Sequence, residues 1–153
     1  MKRVLFQSDD FGITRAVSDG ILRAIEEGVV RNTGLFVNMN SSDYAVNRIQ
    51  GKNVCLGIDI NYVAGMPVSN PREIPSMVKR NGMFYTSKEQ SQRNCLIYMD
   101  GLISVFEQDP YPYEEILLET ENQVIRFKEL TGKWPEYIHP HSLVTPNTDR
   151  AAR

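Results

Sequence analysis

Cysteine and histidine are scarce in this chain, with two of each among 153 residues. Two cysteines cannot build the disulfide framework of a small secreted domain, and Cys55, inside Val54-Cys55-Leu56, reads as a small core residue. A reduced, cytoplasmic setting is the expectation. There is no excess of basic residues: 17 Lys and Arg stand against 19 Asp and Glu, a net charge of -2. That balance excludes a nucleic-acid or anionic-membrane partner read from charge. No apolar run approaches the roughly 20 residues that span a bilayer. Met1-Lys2-Arg3 leads into a short strand-like run and lacks the longer apolar segment of a secretory signal. Internal repeats and low-complexity tracts are also missing.

What is present is an ordinary globular composition, 41% hydrophobic and 24% charged, of a length that makes one domain. Arg3 to Gln7 reads as a first strand. Val17, Ile21, Ala24 and Ile25 share one helical face, and Gly28 stops that helix. Leu35-Phe36-Val37 reads as a second strand, Asp43 to Ile49 as a short helix, and Val54 to Ile60 as a third strand. This rhythm implies parallel strands covered by helices. Residues 65–112 differ, with five prolines and scattered polar residues, and read as an irregular insertion or lid. A helix is expected over Glu89 to Phe106 and a stronger one over Tyr113 to Leu130, closed by Gly132. Tyr137-Ile138 then forms a short fourth strand, and Thr148 to Arg153 starts a last helix. Tyr62, Tyr85, Tyr98, Tyr111 and Tyr113 are candidates for a sugar-stacking surface or ordinary partly buried aromatics.

The chemistry sits where strands end. Asp9 and Asp10 close the first apolar run, Asp59 lies in Gly57-Ile58-Asp59-Ile60-Asn61, and His139 and His141 follow the fourth strand. Parallel strands present their carboxyl ends on one side, so these groups can converge. Asp59 and His141 with one acid of the doublet form a two-carboxylate, one-histidine set suited to Zn²⁺, Mn²⁺, Fe²⁺ or Co²⁺. The remaining Asp can then act as a base. Alternatively the acids only cap and turn the chain.

Several segments carry a family likeness, in order along the chain. They are Lys2 to Gly12 ending Ser-Asp-Asp-Phe-Gly, Val17 to Ile21, Gly28 to Thr33, Leu56 to Asn61, Ala64 to Pro67, Glu121 to Phe127, and Thr131 to His141. Together they resemble the YdjC-like carbohydrate deacetylases, which include chitooligosaccharide deacetylase. The resemblance implies an irregular (β/α) barrel of the polysaccharide deacetylase type, of which this chain covers roughly the N-terminal half. It also implies removal of N-acetyl groups from amino-sugar oligosaccharides with a divalent metal ion (Zn, Mg, Mn or Co). By motif, Asp9 is then the general base, and Asp10 and His141 are metal ligands. Asp59 occupies the place of the family's Gly-x-His ligand histidine, and His139 stands where an Asp is usual.

Those two departures leave open a non-catalytic sugar- or metal-binding relative. A half barrel also exposes sheet edges, so the sequence is either a fragment or a chain whose copies associate as a homo-oligomer.

Overall fold

The computed structural model describes residues 4–99, 103–106 and 108–153. The chain divides into two compact units, Met1–Ile60 with Gln123–His139, and Asn61–Asn122 with Pro140–Arg153.

The first unit is built on a sheet. Strands β1 (Gln7–Phe11), β2 (Asn32–Leu35) and β3 (Cys55–Ile60) pair in parallel, and β6 (Ile138–Pro140) completes the order β1-β2-β3-β6. Helix α1 (Arg15–Glu26) joins β1 to β2, and α2 (Ser42–Ile49) joins β2 to β3. Thr14 caps α1, its hydroxyl accepting the Val17 N–H at 3.2 Å. Gly28, at φ +81°, turns the chain out of the helix. Along each strand, alternate residues face opposite ways. The ladder register therefore puts Leu35, Leu56, Ile58 and Ile60 on one face, and Gln7, Asp9, Asn32, Gly34, Cys55, Gly57 and Asp59 on the other. Helix α1 packs on β1 and α2, and buries Ile21, Leu22 and Ile25; α2 buries Ala45, Val46 and Ile49. Each of the Ile, Leu and Val side chains among them contributes about 1.5–3 kcal/mol on full burial. The sheet thus has an apolar face and a polar one.

Three expectations about the elements change. The first strand runs over Gln7–Phe11, so the Asp9-Asp10 doublet lies inside it; Val4, Leu5 and Phe6 are exposed, and Met1 to Arg3 fall outside the described residues. The second strand is Asn32–Leu35, buried throughout despite its polar start. Two of its polar groups are bonded locally: the Asn32 amide nitrogen donates to Gln7 Oε1 at 2.6 Å, and the Thr33 hydroxyl to the Ser8 carbonyl at 2.7 Å. The helix expected over Glu89 to Phe106 is a shorter α3 (Ser87–Asn94) followed by the antiparallel pair β4 (Cys95–Met99) and β5 (Ile103–Phe106). The sequence between those strands holds Asp100-Gly101, a hairpin signal between apolar runs. Residues 100–102 are outside the described residues.

The second unit holds the irregular segment and part of α4 (Tyr113–Thr131). Glu119, fully buried, accepts the Val68 and Ser69 N–H groups at 3.0 and 2.8 Å. Glu115 accepts both the N–H and the hydroxyl of Ser76 at 2.9 Å. Two carboxylates one helical turn apart thus tie the excursion down. Tyr62 and Tyr111 are fully buried with ring centroids 6.1 Å apart, which removes them from any stacking surface. Tyr85 and Tyr113 are partly buried under Arg93 and Arg150, and the Tyr98 side chain is outside what the structure describes. Helix α5 (Pro146–Ala151) starts at Thr145 with a reciprocal capping box.

Helix α3 has the same device. The Thr86 N–H and hydroxyl donate to Glu89 Oε2 at 2.8 and 2.9 Å, and the Glu89 N–H donates back to Thr86 Oγ1 at 3.2 Å. These bonds, with Lys79 beside them, hold the Glu89 carboxyl down to about 2. A depressed folded pKa gives stability that is present above the unfolded value and is lost as pH falls through the folded one. Glu89→Gln should therefore lower the melting temperature at pH 7, and the gap to wild type should close between about pH 4.5 and pH 2. Calorimetric scans across that range measure it; a gap independent of pH rules out the charge as its cause.

Candidate metal centre

The polar face of the first unit gathers the titratable groups. Ligand atoms of Asp9, Asp59 and His139 all lie within 4.8 Å of one another. Asp9 sits in the middle of β1, Asp59 near the end of β3, and His139 within β6. Asp59 is fully buried. His139 Nδ1 lies 3.2 Å from Asp59 Oδ1, and the Asp10 N–H donates to Asp59 Oδ2 at 2.9 Å. Burial pushes the Asp59 carboxyl up; the Asp10 N–H pulls it back, the neighbouring Asp9 charge raises it again, and His139 lowers it. Asp9 is exposed and takes a 2.6 Å hydrogen bond from the Gln7 amide.

Local backbone geometry makes this possible. Asp10 adopts φ +68°, in the left-handed region that costs most residues energy but that Asp tolerates. The β1–β2 register slips between Ser8 and Phe11, as in a bulge. The twist presents the Asp10 N–H to Asp59 instead of to the ladder. On β2, Gly34 clears the space that the Asp59 carboxylate fills: a Cβ there would lie 1.9 Å from Asp59 Oδ1. On β3, Gly57 does the same for the Tyr137 ring, which a Cβ would meet at 2.4 Å. Glu136 fastens β6 to β3, its carboxylate accepting the Leu56 N–H at 3.0 Å while its own N–H donates to the Leu56 carbonyl at 3.1 Å.

Of the residues expected from sequence, Asp9 and Asp59 come together, joined by His139. Asp10 meets Asp59 through its backbone N–H. His141 follows β6, is partly buried, and belongs to the second unit. Gln7, Asn32, Gly34 and Tyr137 escaped the sequence reading. A glycine inside a strand signals a close approach, and Gly34 and Gly57 carried that signal.

Two carboxylates and one imidazole on one face can hold a divalent cation, and the exposed Asp9 leaves a solvent side. The YdjC-like protein family model matches residues 3–151. The chain belongs to the YdjC-like family. It is 33% identical over 153 residues to a carbohydrate deacetylase of Oceanobacillus iheyensis, covering 96% of this chain and 58% of the relative. It is 29% identical over 144 residues to a carbohydrate deacetylase of Clostridium beijerinckii, covering 93% of this chain and 50% of the relative. Its fold matches the crystal structure of an Enterococcus faecalis protein named for cellobiose-phosphate cleavage, with a TM-score of 0.78 at 23% identity over 97% of this chain and 52% of the other. The chain thus spans about half the length of these relatives. The fold is α/β with a parallel sheet, as expected. Among the described residues, no helix is long and apolar enough to cross a membrane.

The fit of Asp59 against Gly34 is directly testable. Gly34→Ala should destabilise the fold by about 1–3 kcal/mol, the range for overpacking a full site. Adding Asp59→Ser to Gly34→Ala should recover most of that loss. Chemical denaturation of the two variants checks it; a double variant no more stable than the single one locates the clash elsewhere.

Proposed function

We propose that this chain carries the metal- and base-bearing part of a hydrolase that removes N-acetyl groups from amino-sugar oligosaccharides. The observation behind this reading is the Asp9, Asp59 and His139 donor group in a chain whose relatives are named carbohydrate deacetylases. Asp10, Asp59 and His141 are the ligand set that the family motif implies, with His139 a further donor within reach of Asp59. A divalent cation held there, Zn, Mg, Mn or Co, would supply Lewis acidity toward the acetyl oxygen and a water.

The chain's own residues divide the rest of the work. Asp9 is exposed and oriented by Gln7, which itself accepts from Asn32, so one carboxylate oxygen is pinned and the other is available to take a proton. Asp59 is buried and anchored, which suits a fixed ligand. The two departures from the family pattern touch each other. An acid replaces the histidine at 59, an imidazole replaces the acid at 139, and they lie 3.2 Å apart. An exchange between neighbours leaves the donor count and the formal charge of the group unchanged, which supports retained metal binding.

A second reading, a non-catalytic sugar- or metal-binding relative, draws on the same contact. If His139 serves mainly to compensate Asp59, the cation is held with less power to activate water.

Amine release from N-acetylglucosamine oligomers, with Zn²⁺ or Co²⁺ added, separates the two. Asp9→Asn should lower turnover by about 10²–10⁴-fold. His141→Ala and Asp59→Asn should weaken metal binding itself. Equal rates in all variants would remove these assignments, and sugar binding without amine release would favour the second reading.

A further inference from the structure

The imidazole of the donor group stands on the shortest strand of the sheet. β6 runs only over Ile138–Pro140, and Pro140 has no N–H with which to extend a ladder. Ile138 is exposed, so no buried apolar row fixes how β6 lines up with β3. A slip of one residue turns the side chains of a strand to its other face. His139 would then leave Asp59. Register at this edge therefore decides whether the imidazole belongs to the donor group.

The residues just before β6 supply what the strand lacks. The Ile58 N–H donates to the Tyr137 carbonyl at 3.0 Å, one ordinary rung. Glu136 binds a single residue of β3 twice. Its N–H donates to the Leu56 carbonyl at 3.1 Å, and its carboxylate accepts the Leu56 N–H at 3.0 Å. In a parallel ladder a main-chain carbonyl takes such an N–H; here an ionised side chain does, and a charge-assisted bond is the stronger kind. Tyr137 and His139 are two residues apart, so they project to the same side. The Tyr137 ring lies against Gly57, and His139 Nδ1 is 3.2 Å from Asp59, two residues further along β3. The hold on Leu56 thus fixes where the imidazole arrives, three residues later. Glu136 is not one of the grouped donors and acts through the strand.

We infer that Glu136 is a positioning residue for the metal centre: its paired bonds to Leu56 set the register of β6 on β3 and so place the His139 imidazole against Asp59. The inference rests on the metal-binding part of the reading above and concerns a residue outside the donor group.

Two variants separate reach from charge. Glu136→Asp keeps the charge but is one methylene shorter, so its carboxylate falls short of the Leu56 N–H. Glu136→Gln loses the charge but keeps an oxygen acceptor at full reach. Co²⁺ titration of the full chain, followed by visible absorption and calorimetry, reads the affinity, and thermal unfolding without metal shows that each variant is folded. Glu136→Asp should bind Co²⁺ about tenfold more weakly, as loss of an outer-shell partner does, and Glu136→Gln should bind it nearly as wild type does. In a His139→Ala background, Glu136→Asp should weaken binding no further, because the ligand it positions is gone.

Wild-type affinity in Glu136→Asp overturns the inference. So does the reverse order of the two variants, which would make Glu136 act by its charge. An equal loss with and without His139 overturns it too, as the mark of a generally loosened sheet edge. Wild-type Co²⁺ binding by His139→Ala takes the imidazole out of the donor group, and the inference with it. A wild type that shows the expected binding pattern but releases no amine from N-acetylglucosamine oligomers sinks the deacetylase reading and leaves the positioning role standing.

Discussion

The structure turns on one buried charge. Asp59 is fully enclosed, and an ionised carboxylate in that position is costly unless donors surround it. Three features from three strands meet the demand. β1 bends Asp10 into a left-handed conformation and offers its N–H; β2 supplies a glycine where a side chain would collide; β6 brings an imidazole to 3.2 Å. None of the three suits the strand that carries it by local preference. Each is accounted for by the acid on β3, and local disagreement of this kind marks functional positions.

The sheet separates the two tasks of the first unit. One face is aliphatic and supports helices, and it supplies the stability that the other face draws on. The polar face holds Gln7, Asp9, Asn32, Asp59, Tyr137 and His139. The chain of bonds from Asn32 through Gln7 to Asp9 fixes an exposed carboxylate that otherwise would rotate freely. β6 has only three residues, too few for a secure ladder, and the Glu136 carboxylate extends its hold on β3. That fastening keeps His139 in place against Asp59.

The alternation of strand and helix was legible in the sequence because apolar periodicity follows burial, and α1, α2, β3 and α4 emerged close to their expected bounds. β1 and β2 were displaced because their residues are polar for the site's sake, so hydrophobicity pointed to neighbouring apolar residues instead. The α3–β4–β5 segment departs from the expected helix because Cys95 to Phe106 is apolar enough for either element, and the sequence there also carries Asp100-Gly101, a hairpin signal. For the site, Asp9 and Asp59 were visible as acids at strand ends. The contact of His139 with Asp59 was not, since it depends on the pairing of β6 with β3 across 80 residues of sequence.

The two strand glycines also restrict how this sheet can change over evolutionary time. Each lends its missing side-chain volume to a larger group on the next strand, Gly34 to Asp59 and Gly57 to Tyr137. Enlarging either glycine first would pass through an overpacked intermediate, so the neighbour has to shrink before or together with it. Positions 34 and 59, and positions 57 and 137, are therefore joined pairs whose substitutions should be inherited together, with the small partner marking where the functional one is kept.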